Sequence, residues 1–150
     1  MVPVLLLISR YGGFVLSKTT TQRDRSLIDS SALESLASSL RGSLTLPEDD
    51  DYDEVRSIWN AMIDKHPALI VQCRGPADVM AAVRFARQQD LEIAVRGGGH
   101  NIAGHAVCDG GVVIDLSNMG SVRVNPVRKT ARVESGALLA DFDHEAQAFG

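Results

Sequence analysis

Cysteine is nearly missing from this 150-residue chain: only Cys73 and Cys108 occur. Two thiols make no disulfide framework, and a reducing, cytoplasmic setting is the expectation that follows. Aromatic residues are as scarce, at 5%, which argues against the stacking platforms that single-stranded nucleic acids use. Excess positive charge is absent too. Fifteen basic residues face nineteen acidic ones, for a formal charge of -4. No basic stripe suits a phosphate backbone, so no nucleic-acid partner is expected. Long apolar runs are also lacking. Val4 to Ile8 falls far short of the roughly 18 residues that span a bilayer, so no membrane partner is expected. No Lys or Arg precedes that run and no A-x-A site follows it, so it does not read as a signal peptide.

What is present is enough for a core: 45% of the residues are hydrophobic and 23% charged, the balance of one globular domain. Residues 1 to 29 read as an unstructured or mis-assigned leader, because SKTTTQRDRS carries no periodicity. A helix is predicted from DSSALESLASSL, with Asp29, Ser30 or Ser31 as N-cap, Leu33, Leu36 and Leu40 as its stripe, and Gly42 at its end. The acidic run Glu48 to Asp51 reads as a solvated loop, followed by a short helical stretch around Val55 to Met62.

Ala68 to Cys73 is a predicted buried strand. GPADVMAAVRFARQQD is a predicted helix, with Pro76 in its first turn, Asp78 at its positive end and Val79, Val83 and Ala86 on one face. LEIAV forms a second strand, and strand–helix–strand at this spacing is a βαβ crossover with parallel strands. Val112 to Leu116 makes a third strand. SVRVNPVRKTARVES makes two short ones turned at Asn125-Pro126, and GALLADFDHEAQAFG a last helix capped by Ser135 with Leu138, Phe142 and Ala146 on one face. The fold class is α/β or α+β.

The segment with chemical character is RGGGHNIAGH, Arg96 to His105. Gly97, Gly98 and Gly99 admit positive φ and strip one surface of Cβ atoms. Successive amides can then converge on an anion, with Arg96 adding charge at the edge. The position fits, since ligands of parallel sheets collect at the C-terminal strand ends. A plain flexible turn is the bland alternative. Two phosphate signatures fail here: Gly104 is followed by His105 rather than Lys, and position 102 is Ile102 rather than the glycine of a dinucleotide fingerprint. His100, His105 and Cys108 offer three ligands of a competing small zinc module, one short of a closed structural site. The expectation is therefore no resident metal.

AVRGGGHNIAGHAVCDGGVVIDLSNM resembles the flavin-attachment segment of FAD-linked oxidases of the vanillyl-alcohol oxidase and p-cresol methylhydroxylase (PCMH) type. The nearest branch is the berberine-bridge-enzyme and 6-hydroxynicotine-oxidase group. The likeness runs from about residue 46 to 150, through WNAMIDKHPALIVQCRGPADVMAAVRFARQQDLEIAVRGGGHN upstream and VNPVRKTARVESGALLADFDHEAQAFG downstream. It implies the first subdomain of a PCMH-type FAD-binding domain, a small βαβ-type sheet with helices, plus the start of the second. It implies FAD as cofactor, held by Arg96, Gly97, Gly98, Gly99, His100 and Asn101, with Gly104 and His105 beside the flavin. His100 would bond covalently to the 8α carbon. The implied activity is an FAD-dependent oxidoreductase, oxidase or dehydrogenase, passing hydride from a small-molecule substrate to flavin N5.

Family members continue further, into the rest of the FAD domain and a substrate domain that supplies the catalytic base. Residues 30 to 150 therefore read as an incomplete N-terminal part, with no catalytic residue of its own. A truncated, non-catalytic remnant with weak or no flavin binding is the alternative. Cys73 and Cys108 read as small buried hydrophobes.

Overall fold

The computed structural model describes residues 28–150; the leader expected over residues 1 to 29 lies outside them except for its last two residues. Ile28 packs on the core and the Asp29 carboxylate caps the first helix, accepting from the Ser31 amide at 2.9 Å. That helix, α1 (Ser30–Ser39), stops before the expected end, with Leu40 already extended. Gly42 serves a different need: any Cβ there would run into the Gln72 carbonyl, where the chain passes against β2. A strand that the sequence did not announce follows, β1 (Ser43–Thr45). Helix α2 is also earlier and shorter than expected, at Tyr52–Arg56. Asp49 closes the acidic loop before it, with its carboxylate accepting from the Leu46 amide at 2.7 Å.

The three apolar runs become the strands β2 (Leu69–Gln72), β3 (Ile93–Arg96) and β4 (Val112–Asp115), with α3 (Pro76–Gln88) between the first two. The sheet order is β1-β2-β4-β3, with β1 antiparallel and the rest parallel. The crossover therefore joins parallel strands, as the spacing predicts, but β4 lies between them. Leu69, Ile70, Val71, Val112 and Val113 are fully buried, which explains why these strands read as continuous apolar runs rather than alternating ones. One core layer sits under α1 and α3. The other, around Tyr52, Val107, Cys108 and Val113, faces α2 and the loops. The buried face of α3 is turned from the expected one and centres on Asp78, Ala82, Phe85 and Ala86; Val79 and Val83 flank it.

Asp78 does more than meet a helix dipole. Its buried carboxylate accepts from the amides of Arg41 (3.0 Å), Gly42 (3.1 Å) and Arg74 (2.8 Å), tying the chain after α1 and the turn after β2 to α3.

Beyond β4 the chain forms an antiparallel hairpin, β5 (Val122–Asn125) and β6 (Thr130–Val133), then α4 (Leu139–Gln147). Ser135 does not cap this helix. It starts four residues later, where Asp141 accepts from the Leu138 amide at 2.8 Å. Phe142 and Ala146 are half-buried as the stripe predicts, while Leu138 is exposed. Among the described residues no helix is long and apolar enough to cross a membrane.

Candidate functional site

The glycine turn leaves the sheet at the C-terminal end of β3, beside the end of β4. Among the described residues, nothing accepts a hydrogen bond from the amides of Gly97, Gly98, Gly99 or His100. Gly97 is half-buried and Gly99 buried, while Gly98 and His100 are open to solvent; four successive amides with no protein acceptor form a donor set suited to an anion. Gly99 has φ +70°, a left-handed conformation that a side chain would strain. Gly97 is required for another reason: a Cβ there would collide with the Ser135 carbonyl, which presses on the turn from the segment after β6. An open cleft of about 330 Å³ lies along the turn, with Ile58, Trp59, Gln72 and Ser117 among the residues that line it.

Arg96 lies under this turn, not at its edge. Its guanidinium meets the Asp115 carboxylate at 2.6 Å, with the two side chains only 8% and 3% exposed. It also donates to the Ser57 carbonyl at 3.3 Å. A charge so paired and buried is already neutralised, so its service to an anion is through shape. Asp115 was the missed partner, though the signal was there: Arg96 and Asp115 each close an apolar run, and parallel pairing brings them level.

His100 is exposed, and its ring lies 5.3 Å from that of Trp59, tilted by 41°. Asn101 shapes the next turn, with its carbonyl accepting from Gly104 (3.1 Å) and its side chain from the His105 amide (3.0 Å). His105 is exposed beside buried Gly104. The zinc trio does not assemble: among the described residues no three His, Cys, Asp or Glu side chains gather as a metal site. Cys108 is buried against the Val112 carbonyl, and burial, helped by Glu92, pushes its thiol up to about 11. Burial, with Asp78 and Asp115 nearby, pushes Cys73 up to about 12. Both are packing residues rather than thiolates.

The comparisons agree with this geometry. A family model described as an FAD binding domain matches residues 67–150. (R)-6-hydroxynicotine oxidase of Paenarthrobacter nicotinovorans is 38% identical over 112 residues, 75% of this chain and 24% of that protein. The crystal structure of 6-hydroxy-D-nicotine oxidase from Arthrobacter nicotinovorans superposes with a TM-score of 0.71 at 38% identity, covering 75% of this chain and 25% of that one. A variant of BBE-like 1 from Physcomitrella patens gives 0.73 at 26% identity, over 79% and 26%. The chain thus spans about a quarter of the length of the relatives it matches. With the family model covering more than half of the chain and the fold shared with these solved structures, the chain belongs to the FAD-binding domain family.

Proposed function

We propose that this chain supplies the diphosphate-holding part of the FAD site of an oxidoreductase that takes hydride from a small-molecule substrate, with His100 as the point of covalent attachment. An imidazole nitrogen would replace one hydrogen on the 8α carbon, the proton leaving to solvent and the electron pair reducing the flavin, with dioxygen as the oxidant that restores it. The observation that carries the reading is the row of four unbonded amides from Gly97 to His100 at the end of a parallel strand. A bound flavin contributes a two-electron acceptor at its N5. The chain's own residues bind and orient. The amides of residues 97 to 100 would donate to diphosphate oxygens, and Arg96, locked to Asp115, keeps the strand end from which they project in place. Gly104 and the Asn101–His105 turn close the loop behind His100. An exposed imidazole one residue past the last glycine has the reach that attachment needs, and Trp59 covers one side of it.

Trp59 is the chain's one tryptophan, so its fluorescence reports on this site alone. Added FAD should quench it, and flavin should remain with the polypeptide after acid precipitation. His100→Ala should keep the quenching and release all flavin on denaturation. Colour that stays with denatured His100→Ala would rule out His100 as the attachment point. Unquenched Trp59 in the unaltered chain would sink the flavin reading itself.

A further inference from the structure

The irregular stretch between α2 and β2, read as partly helical from sequence, has no regular structure of its own after Arg56. Instead it follows the His100 loop almost step by step. The Trp59 amide donates to the Gly99 carbonyl at 3.3 Å, and the Trp59 ring lies beside His100. Asn60 Nδ2 donates to the Ile102 carbonyl at 3.1 Å. Ile63 fills the space that a Cβ at Gly104 would need, with its Cγ2 2.8 Å from that position. Lys65 Nζ donates to two carbonyls, Gly104 and Val107, each at 3.1 Å.

A half-buried lysine that spends its donors on carbonyls, with no carboxylate partner among the described residues, is organising backbone rather than making an ion pair. The strap is anchored in turn. Arg56 bonds Asp53, Asp64 and the Lys65 carbonyl, and Tyr52 donates to the Pro67 carbonyl at 2.7 Å.

We infer that residues 58 to 65 are a template for the flavin-attachment loop, and that Lys65 and Asn60 are positioning residues that set where the His100 ring sits. The inference rests on the reading of His100 as the attachment point. Neither side chain touches the reacting atoms. Each holds a carbonyl on the C-terminal side of His100, where free play would move the imidazole while leaving the amides of residues 97 to 99 largely in place. Attachment is therefore more sensitive to these residues than non-covalent binding, because bond formation depends steeply on small misplacements.

The test uses the full chain with FAD as the probe and Lys65→Met as the variant. Trp59 quenching by FAD should be retained, while the rate at which flavin becomes acid-stable should fall about tenfold. Hydrogen exchange at the Gly104 and His105 amides should quicken by about tenfold with the sheet amides of Val113 and Ile114 unchanged. Lys65→Arg, which keeps a long cationic donor, should restore both. Unchanged exchange at Gly104 and His105 overturns the inference, as does equal loss of quenching and attachment. Should the unaltered chain never hold flavin covalently, the reading of His100 fails by itself, and the exchange result alone decides on the template. Should Lys65→Met lose sheet protection as well, Asn60→Ala, which removes the bond to the Ile102 carbonyl and the one that Asn60 Oδ1 accepts from the Met62 amide within the strap, carries the same expectations and the same grounds for rejection.

Discussion

The four-stranded sheet and the hairpin–α4 unit use much the same residue types to different ends. In the sheet, β2 and β4 are sealed on both faces, and Leu69, Ile70, Val71, Val112 and Val113 have no exposed surface. In the hairpin, Val122 and Val124 are half-buried, Val133 is 46% exposed, and no residue of α4 is buried. Burial of apolar area is the main favourable term in folding, so the sheet holds the stability. The hairpin unit contributes a boundary: it presses the Ser135 carbonyl onto Gly97. One region is built to persist and the other to shape the turn.

Three substitutions test that contrast, in descending order of expected effect. Ile114→Ala, at the centre of β4, should cost about 2–5 kcal/mol by leaving a cavity in a sealed layer, read as a fall in the urea midpoint. Asp78→Asn comes next, at about 1–3 kcal/mol, because an amide cannot accept what the carboxylate accepts from Arg41, Gly42 and Arg74. Its effect should depend on pH. Burial pushes the Asp78 carboxyl up, but the three amides and the Arg41 charge outweigh that and hold it below the usual range. Its contribution is therefore complete above the ordinary aspartate value of about 3.9 and disappears as pH falls through the lowered one. Acid titration of stability should show a shallower loss in that window for Asp78→Asn than for the parent. Leu139→Ser on α4, a residue 75% exposed, should change stability by less than about 0.5 kcal/mol. A loss as large as that of Ile114→Ala would mean that the outer unit has a core of its own, and the contrast would fail.

Much of this was legible from residue order. The apolar runs at Leu69, Ile93 and Val112 became the parallel strands, and Pro76 marked the start of α3, because those signals are local. The position of the glycine turn at the end of a strand was legible for the same reason. What escaped was held by distant partners. Three-residue β1 exists by pairing with β2, and only Thr45 of it is buried, so no periodicity announces it. The strap from residue 58 to 65 takes its shape from carbonyls some forty positions later. Arg96 looked like a free cation because a sequence shows a charge but not the carboxylate aligned with it.

The contact between Gly97 and Ser135 also limits what can be borrowed from this protein. Transplanting Arg96 to Asn101 into another scaffold would move the donors without the carbonyl that confines them or the strap that steadies their far end. The transferable unit is the set of three separated stretches together, and an engineer who copies only the motif should expect a loose loop.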